Sequence, residues 1–397
     1  MELKILQIDD ACTGCGACAN ICPKKCISIK PNNEGFYYPT YNADNCIDCH
    51  LCEQVCHVIN PNPQHNVSDQ DFYMYSSKDM KIREKSSSGG AFTLFAQNVI
   101  DNDGVVFGCY YNGDKERLEF DNSQNVNWET FRKSKYIEAF TGDSFSQVAT
   151  FLKQSKKVFF CGTPCQVKGL KRYLDTKKVD CTNLLTADFI CHGVPSNLCF
   201  THYKRKHETH NKKVVSVDSR HKEIPSKKLA WHNYILRLDF SNGTSKVIPY
   251  KPPYHFEYCK LFMDNIILRR CCYTCAHPST SCADVTFADF WGIYKYKPEI
   301  DDNTGISIIK LHTPKAKSLW DTLPAARVAE PLPYSAVEYI YRKPDKTKIL
   351  DKRTLFFSLM NRYGYHKAIR VYYKKEFVEF YTIGWVKQTI KNIIGRS

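Results

Sequence analysis

Between about residues 70 and 325, short apolar, β-branched runs alternate with stretches of helical period. This is the pattern of an α/β region, in which strands and helices take turns. Val105 to Tyr111, Val158 to Cys161, Leu185 to Cys191 and Val285 to Ala288 read as strands, as does Val214 to Val217. Asn233 to Phe240 and Thr244 to Tyr250 flank Ser241-Asn242-Gly243, a turn that closes a hairpin. Ala91 to Ile100 is an apolar helical run, and Val167 to Lys171 begins another. Ahead of this region, Asn60-Pro61-Asn62-Pro63-Gln64-His65-Asn66 is polar and proline-broken, a linker. Behind it, from Tyr334 to Ser397, the chain turns basic and aromatic with helical spacing. The expected organisation is a small module over 1–62, an α/β domain over 70–325 and a helical tail over 334–397, a fold class of α+β and α/β.

Hydrophobic residues make up 43% of the 397, enough for an ordinary core, yet the chain carries twenty cysteines. Met1-Glu2-Leu3-Lys4 leads to Asp9-Asp10 with no apolar run between, so no signal peptide is read. Thiols in a chain that is not secreted point to metal binding or redox chemistry rather than disulfides. No stretch reaches the roughly 18 apolar residues of a membrane span, and the expected location is the cytoplasm. The formal charge is +15. Each four-iron cluster with four thiolates carries about −2, so three would leave roughly +9. That excess suits anionic partners, such as a pyrophosphate-bearing cofactor or an acidic electron carrier. No nucleic-acid motif is present.

Nine of the cysteines lie between Cys12 and Cys56. Cys12, Cys15, Cys18 and Cys22 follow C-x2-C-x2-C-x3-C, and Cys46, Cys49, Cys52 and Cys56 repeat it. In two-cluster ferredoxins the fourth cysteine of each run ligates the other cluster. The expected quartets are therefore Cys12, Cys15, Cys18 and Cys56, and Cys22, Cys46, Cys49 and Cys52. Small residues (Gly14, Gly16, Ala17) let three thiolates converge on a cubane. A zinc module is the alternative for C-x2-C pairs, disfavoured by two complete runs of identical spacing. The runs differ in their next residue, Pro23 after the first and His57 after the second. Cys26, a ninth cysteine, reads as a buried small hydrophobe.

In the second region, Cys161-Gly162-Thr163-Pro164-Cys165 and Cys191-His192-Gly193-Val194-Pro195 each follow a strand and break into a turn. Cys165 and Cys191 would sit just beyond the carboxyl ends of strands, where ligands gather in α/β sheets. Cys272-Tyr273-Thr274-Cys275 is a C-x2-C pair, with Cys271 before it and Cys282 after. Spacing alone leaves a third cluster, a redox dithiol or half a zinc site open. Lys85-Ser86-Ser87-Ser88-Gly89-Gly90 precedes the Ala91 helix, where serines cap and glycines admit an anion. A plain flexible loop with an N-cap fits as well.

These motifs, in order, resemble the coenzyme F420 hydrogenase/dehydrogenase beta-subunit family. They are Ser86 to Gly90, Ser134-Lys135-Tyr136, Gly162 to Gln166, Cys191-His192-Gly193, Cys272 to Cys275 and Ala283 to Gly292. The resemblance covers residues 1 to about 325 and includes the N-terminal module. It implies a third 4Fe-4S cluster on Cys165, Cys191, Cys272 and Cys275, with Cys161, Cys271 and Cys282 as neighbours. It implies a flavin, FAD rather than FMN, held by Ser87, Ser88, Gly89, Gly90, Lys135, Tyr136 and Thr163. Arg220 and Lys222 resemble the family's basic segment near the flavin. His192 could donate a proton or only bond the backbone.

The implied activity is an oxidoreductase linking a ferredoxin-type one-electron carrier to a two-electron small-molecule substrate through clusters and FAD. Relatives act on F420, and bacterial ones accompany surface-polysaccharide synthesis. The alternative is a subunit that feeds electrons to a partner enzyme; a second copy of the chain is a further candidate partner. In the tail, Phe377, Phe380, Tyr381, Ile383 and Trp385 stand among lysines. Such a helix lies on a membrane surface or docks on its own domain or a second subunit.

Overall fold

Four of the apolar runs become the parallel centre of a mixed sheet. In the computed structural model, which describes residues 3–66, 71–222, 231–249, 257–277, 280–324, 326–341 and 346–374, they are Val105–Asn112, Val158–Cys161, Leu184–Phe189 and Val285–Asp289. Val105 pairs with Val158, Val158 with Leu184, and Ala187 with Val285, all in parallel. Ser307–Leu311, Phe72–Ser76 and Val328–Leu332 extend one edge antiparallel, and Arg117–Asn122 and Ala139–Phe140 extend the other. The parallel strands are apolar on both faces because helices cover both faces. Val105, Phe107, Val158 and Phe160 meet Phe145 and Val148 of helix Ser144–Lys153 and Val167 and Leu170 of helix Pro164–Thr176. Val106, Phe159 and Leu185 alternate to the other side, against Leu94, Phe95 and Val99 of helix Ala91–Asp101.

The N-terminal module holds helix Ala17–Ile21, a hairpin of Ile27–Pro31 and Tyr37–Tyr41, and helix Leu51–Gln54. It sits on the outer side of the Ser144 and Pro164 helices. Leu3, Ile5, Ala17, Ile21 and Val55 share one apolar cluster with Phe145 and Val167. The segment read as a linker is tied down. Asn62 Nδ2 donates to the Lys168 carbonyl at 2.9 Å, and His65–Asn66 pairs with Thr280–Ser281. Its polarity marks the lack of a core of its own, and hydrogen bonds to the neighbouring domain hold it.

The expected hairpin forms from Ile235–Phe240 and Ser245–Pro249, with Val214–Asp218 as a third antiparallel strand. The first part of the tail is core. Phe356, Phe357, Met360 and Ile369, from helices Leu350–Tyr363 and Tyr365–Tyr372, pack with Tyr203, Tyr258 and Phe262. Arg353, fully buried, donates from Nε to the Leu268 carbonyl (2.8 Å) and from Nη1 to Glu34 (2.9 Å) in the N-terminal hairpin turn. The amphipathic helix expected after Lys374 lies outside the described residues. Among the described residues no helix is long and apolar enough to cross a membrane.

Candidate metal centres and cofactor site

The eight repeat cysteines sort into two cavities. One is lined by Cys12, Cys15, Cys18 and Cys56, the other by Cys22, Cys46, Cys49 and Cys52. Cys18 and Cys22 lie one helical turn apart at opposite ends of the short Ala17–Ile21 helix, so they open into different cavities. The first quartet faces inward. Burial pushes the Cys15 thiol up to about 12, with Cys12, Cys56 and Cys165 adding repulsion between thiolates. The second faces outward, with Cys49 exposed.

Two details add to the pattern read in the sequence. His57 lines the first cavity, where its Nε2 meets Thr13 Oγ1 at 2.9 Å. Cys26 is buried, as expected, and also forms part of the second cavity's wall. Its backbone N–H donates to Cys22 Sγ (3.3 Å), and its thiol hydrogen-bonds with Cys22 and Cys46.

Cys165, Cys191, Cys272 and Cys275 come together from separate segments. Cys165 is the second residue of helix Pro164–Thr176, and Cys191 follows the Leu184–Phe189 strand. Cys272 closes the 3-10 turn Arg270–Cys272. Burial raises the thiols of Cys165 and Cys191, and each is raised further by Cys272 and Cys275. The Val194 N–H donates to Cys272 Sγ at 3.4 Å. Among the described residues no three His, Cys, Asp or Glu side chains close on a single metal ion. Thiols that share a cubane stand further apart than those around one ion. Cys271 hydrogen-bonds with Cys272 at the rim of the group. Cys161 instead lies by Cys109 and Lys135, and Cys282 by Lys171 and Asp188.

One helix joins the inner quartet to this third group. Gly169 lies one turn beyond Cys165 on helix Pro164–Thr176, and a Cβ there would stand 2.9 Å from Cys15 Sγ. A larger residue would hold the N-terminal module off the helix. Arg269 also spans the gap, pairing with buried Glu138 at 2.7 Å. Neither residue carried a sequence signal. Loss of one partner of such a buried pair costs about 3–5 kcal/mol.

The residues expected at a flavin separate into three roles. Ser87, Ser88, Gly89 and Gly90 form the turn into helix Ala91–Asp101. Ser88 Oγ donates to the Ile306 carbonyl (2.7 Å), and the Ser134 N–H donates to Ser87 Oγ (2.6 Å). Lys222, buried, donates to the carbonyls of Ser88 (3.0 Å) and Thr304 (2.7 Å), so it anchors that turn. Lys135 Nζ donates to the Arg132 carbonyl (2.8 Å), and Tyr136 stacks on Phe262 with centroids 5.0 Å apart.

Arg220 lies against the stacked rings of Tyr234 (4.5 Å) and Trp291 (4.6 Å), and near Tyr136 and Asp289. Among the described residues its Nε and Nη1 are buried without a hydrogen-bond partner, and Nη2 donates to the Trp231 carbonyl (2.9 Å). Thr163 belongs with the third cysteine group. It caps the Pro164 helix in a capping box with Gln166, and its Oγ1 meets Cys165 Sγ at 3.1 Å. His192 Nε2 meets the Phe262 carbonyl at 3.2 Å, and burial lowers its pKa to about 4.

The doubled cysteine module on an α/β sheet defines an iron–sulfur electron-transfer protein. Residues 11–59 match the 4Fe-4S dicluster domain. Residues 155–335 match the C-terminal domain of the coenzyme F420 hydrogenase/dehydrogenase beta subunit. Residues 155–335 thus carry the beta subunit's C-terminal domain, and residues 11–59 the dicluster domain. An uncharacterised ferredoxin of Methanocaldococcus jannaschii is 32% identical over 56 residues, which are 14% of this chain and 71% of that protein. A chain in the xenon-derivatised F420-reducing nickel–iron hydrogenase complex of Methanosarcina barkeri superposes with a TM-score of 0.47 at 14% identity. The superposition covers 74% of this chain and 95% of that one.

Proposed function

We propose that this chain is a flavin-dependent oxidoreductase that exchanges electrons between a ferredoxin-type carrier and a small-molecule substrate. Cys12, Cys15, Cys18 and Cys56 would hold an inner 4Fe-4S cluster, and Cys22, Cys46, Cys49 and Cys52 an outer one. Cys165, Cys191, Cys272 and Cys275 would hold a third, and FAD would lie against the Ser87–Gly90 turn and Arg220. The clusters supply one-electron carriage, and the flavin supplies the exchange between one- and two-electron chemistry.

The observation that carries the reading is the contact of Gly169 with Cys15 one turn from Cys165, which sets the inner quartet beside the third group on one rigid helix. The chain's own part is to position and to exclude water. Burial raises the thiols of Cys15, Cys165 and Cys191, as expected where water is kept out. The two buried N–H nitrogens of Arg220 that have no partner among the described residues fit an anionic or carbonyl oxygen of the flavin. Lys222 holds the Ser88 carbonyl and so fixes the turn that would face it.

Anaerobic isolation of the full chain tests this. The expected content is about twelve irons, four for each cluster, with one FAD. A screen of reduced ferredoxin, F420, NAD(P)H and candidate sugars then finds the substrate. Iron at the level of the dicluster domain alone, or no flavin, overturns the reading. Turnover that requires a second protein besides the ferredoxin assigns the chain instead as an electron-feeding subunit.

A further inference from the structure

Between the inner quartet and the third group lies one buried cation. Arg269 is 0% exposed. Its backbone belongs to the third group: its N–H donates to the Val194 carbonyl (2.8 Å), and its carbonyl accepts the Cys272 N–H (3.0 Å). Its side chain reaches the loop of the inner quartet. Nε donates to the Cys12 carbonyl (2.7 Å), Nη2 to the Tyr37 carbonyl (2.9 Å) and Nη1 to Glu138 Oε1 (2.7 Å).

The guanidinium stacks 4.1 Å over Tyr38. Gly14, at φ +68, leaves it room, since a Cβ there would stand 2.7 Å from Nη1. The thiols of Cys12 on one side and of Cys165 and Cys272 on the other all interact with its charge. A simple docking contact would need neither full burial nor a place between two thiol groups.

We propose that Arg269 is a positioning and potential-setting residue shared by the two centres: it fixes their separation and favours the reduced state of each. The inference rests on the proposed function, in that both quartets carry clusters. One electron passes between the centres, and no bond is made or broken. Each reduced cluster gains one negative charge, and net charge sets cluster potential. A cation in a water-excluded gap acts more strongly than one in solvent. Glu138 offsets part of that cation, so the two residues have effects of opposite sign.

The test is an EPR-monitored redox titration of the anaerobically isolated full chain. Arg269→Gln should cut the reduced-to-oxidised ratio of both flanking centres about tenfold at a fixed ambient potential, roughly 59 mV for one electron. Glu138→Gln should raise that ratio, Arg269→Lys should stay near wild type, and the outer centre is the internal control. Unchanged potentials in Arg269→Gln, or shifts of the same sign in both glutamine variants, would overturn the proposal. So would an outer centre that moves as far as the inner one. Should Arg269→Gln lose its iron, a raised ratio in Glu138→Gln beside an unchanged one in Arg269→Lys supports the proposal, and an unchanged ratio in Glu138→Gln overturns it. A wild-type iron count short of a third cluster fails the functional reading itself, and Arg269 is then judged at the inner centre alone.

Discussion

The two cysteine quartets of the N-terminal module share one spacing but not one environment. The inner quartet is enclosed, with Cys15 against Gly169 and the Cys12 carbonyl against Arg269. The outer quartet has Cys49 exposed and a fifth thiol, Cys26, in its wall. Equal cysteine spacing thus produces a centre that faces a protein interior and one with a ligand cysteine exposed to solvent. In the proposed function this asymmetry gives direction: a soluble carrier meets the outer centre, and the inner one hands on toward Cys165. The repeat becomes asymmetric because the inner quartet abuts the Pro164–Thr176 helix, whereas the outer one keeps Cys49 at the surface.

The comparison can be broken most directly through ligand removal. Cys56→Ser should abolish the inner centre and Cys22→Ser the outer one, each with loss of about four irons and one EPR signal. If Cys22→Ser instead silenced the centre of Cys12, Cys15 and Cys18, the crossed sorting would be wrong. Next in size is Gly169→Leu, which drives a side chain into Cys15. It should cost about 1–3 kcal/mol by overpacking and erode the inner centre, read by thermal unfolding and EPR. A variant whose outer centre failed first would refute the seating described for the module.

A slow anaerobic challenge with an iron chelator should strip the outer centre before the inner, because exposed Cys49 admits the reagent; loss in the reverse order would contradict the burial difference. The smallest effect is expected for Cys26→Ala. It should shift the outer centre's EPR line shape or potential and leave the inner centre unchanged. A response at both centres would mean that Cys26 acts through the module's fold rather than at one cavity.

Much of this is legible in the chain's local patterns. The doubled C-x2-C-x2-C-x3-C pattern specifies its centres locally, since one tight loop carries three thiols. The four apolar runs end within two residues of the observed parallel strands, because two-sided burial imposes continuous apolar sequence. Cys165, Cys191, Cys272 and Cys275 are joined through family resemblance. Spacing cannot do it, because they come from separate segments up to 110 residues apart, by subtraction of 165 from 275. The contacts of the linker and the tail stay hidden in the sequence for one reason. Asn62 and Arg353 are polar, and composition does not show that their partners are the Lys168 carbonyl and Glu34.

The sequence by itself determined the chemistry: thiols in ligand spacing, a sheet to carry them and a serine–glycine turn before a helix. Tertiary packing alone turns one set of thiols inward, brings Cys26 to the outer cavity, and puts Gly169 and Arg269 between two groups of cysteines. Short-range patterns record what a segment can form and hold. Which segments meet depends on packing between positions far apart in the chain, such as Arg269 and Cys12, and no local pattern encodes that contact.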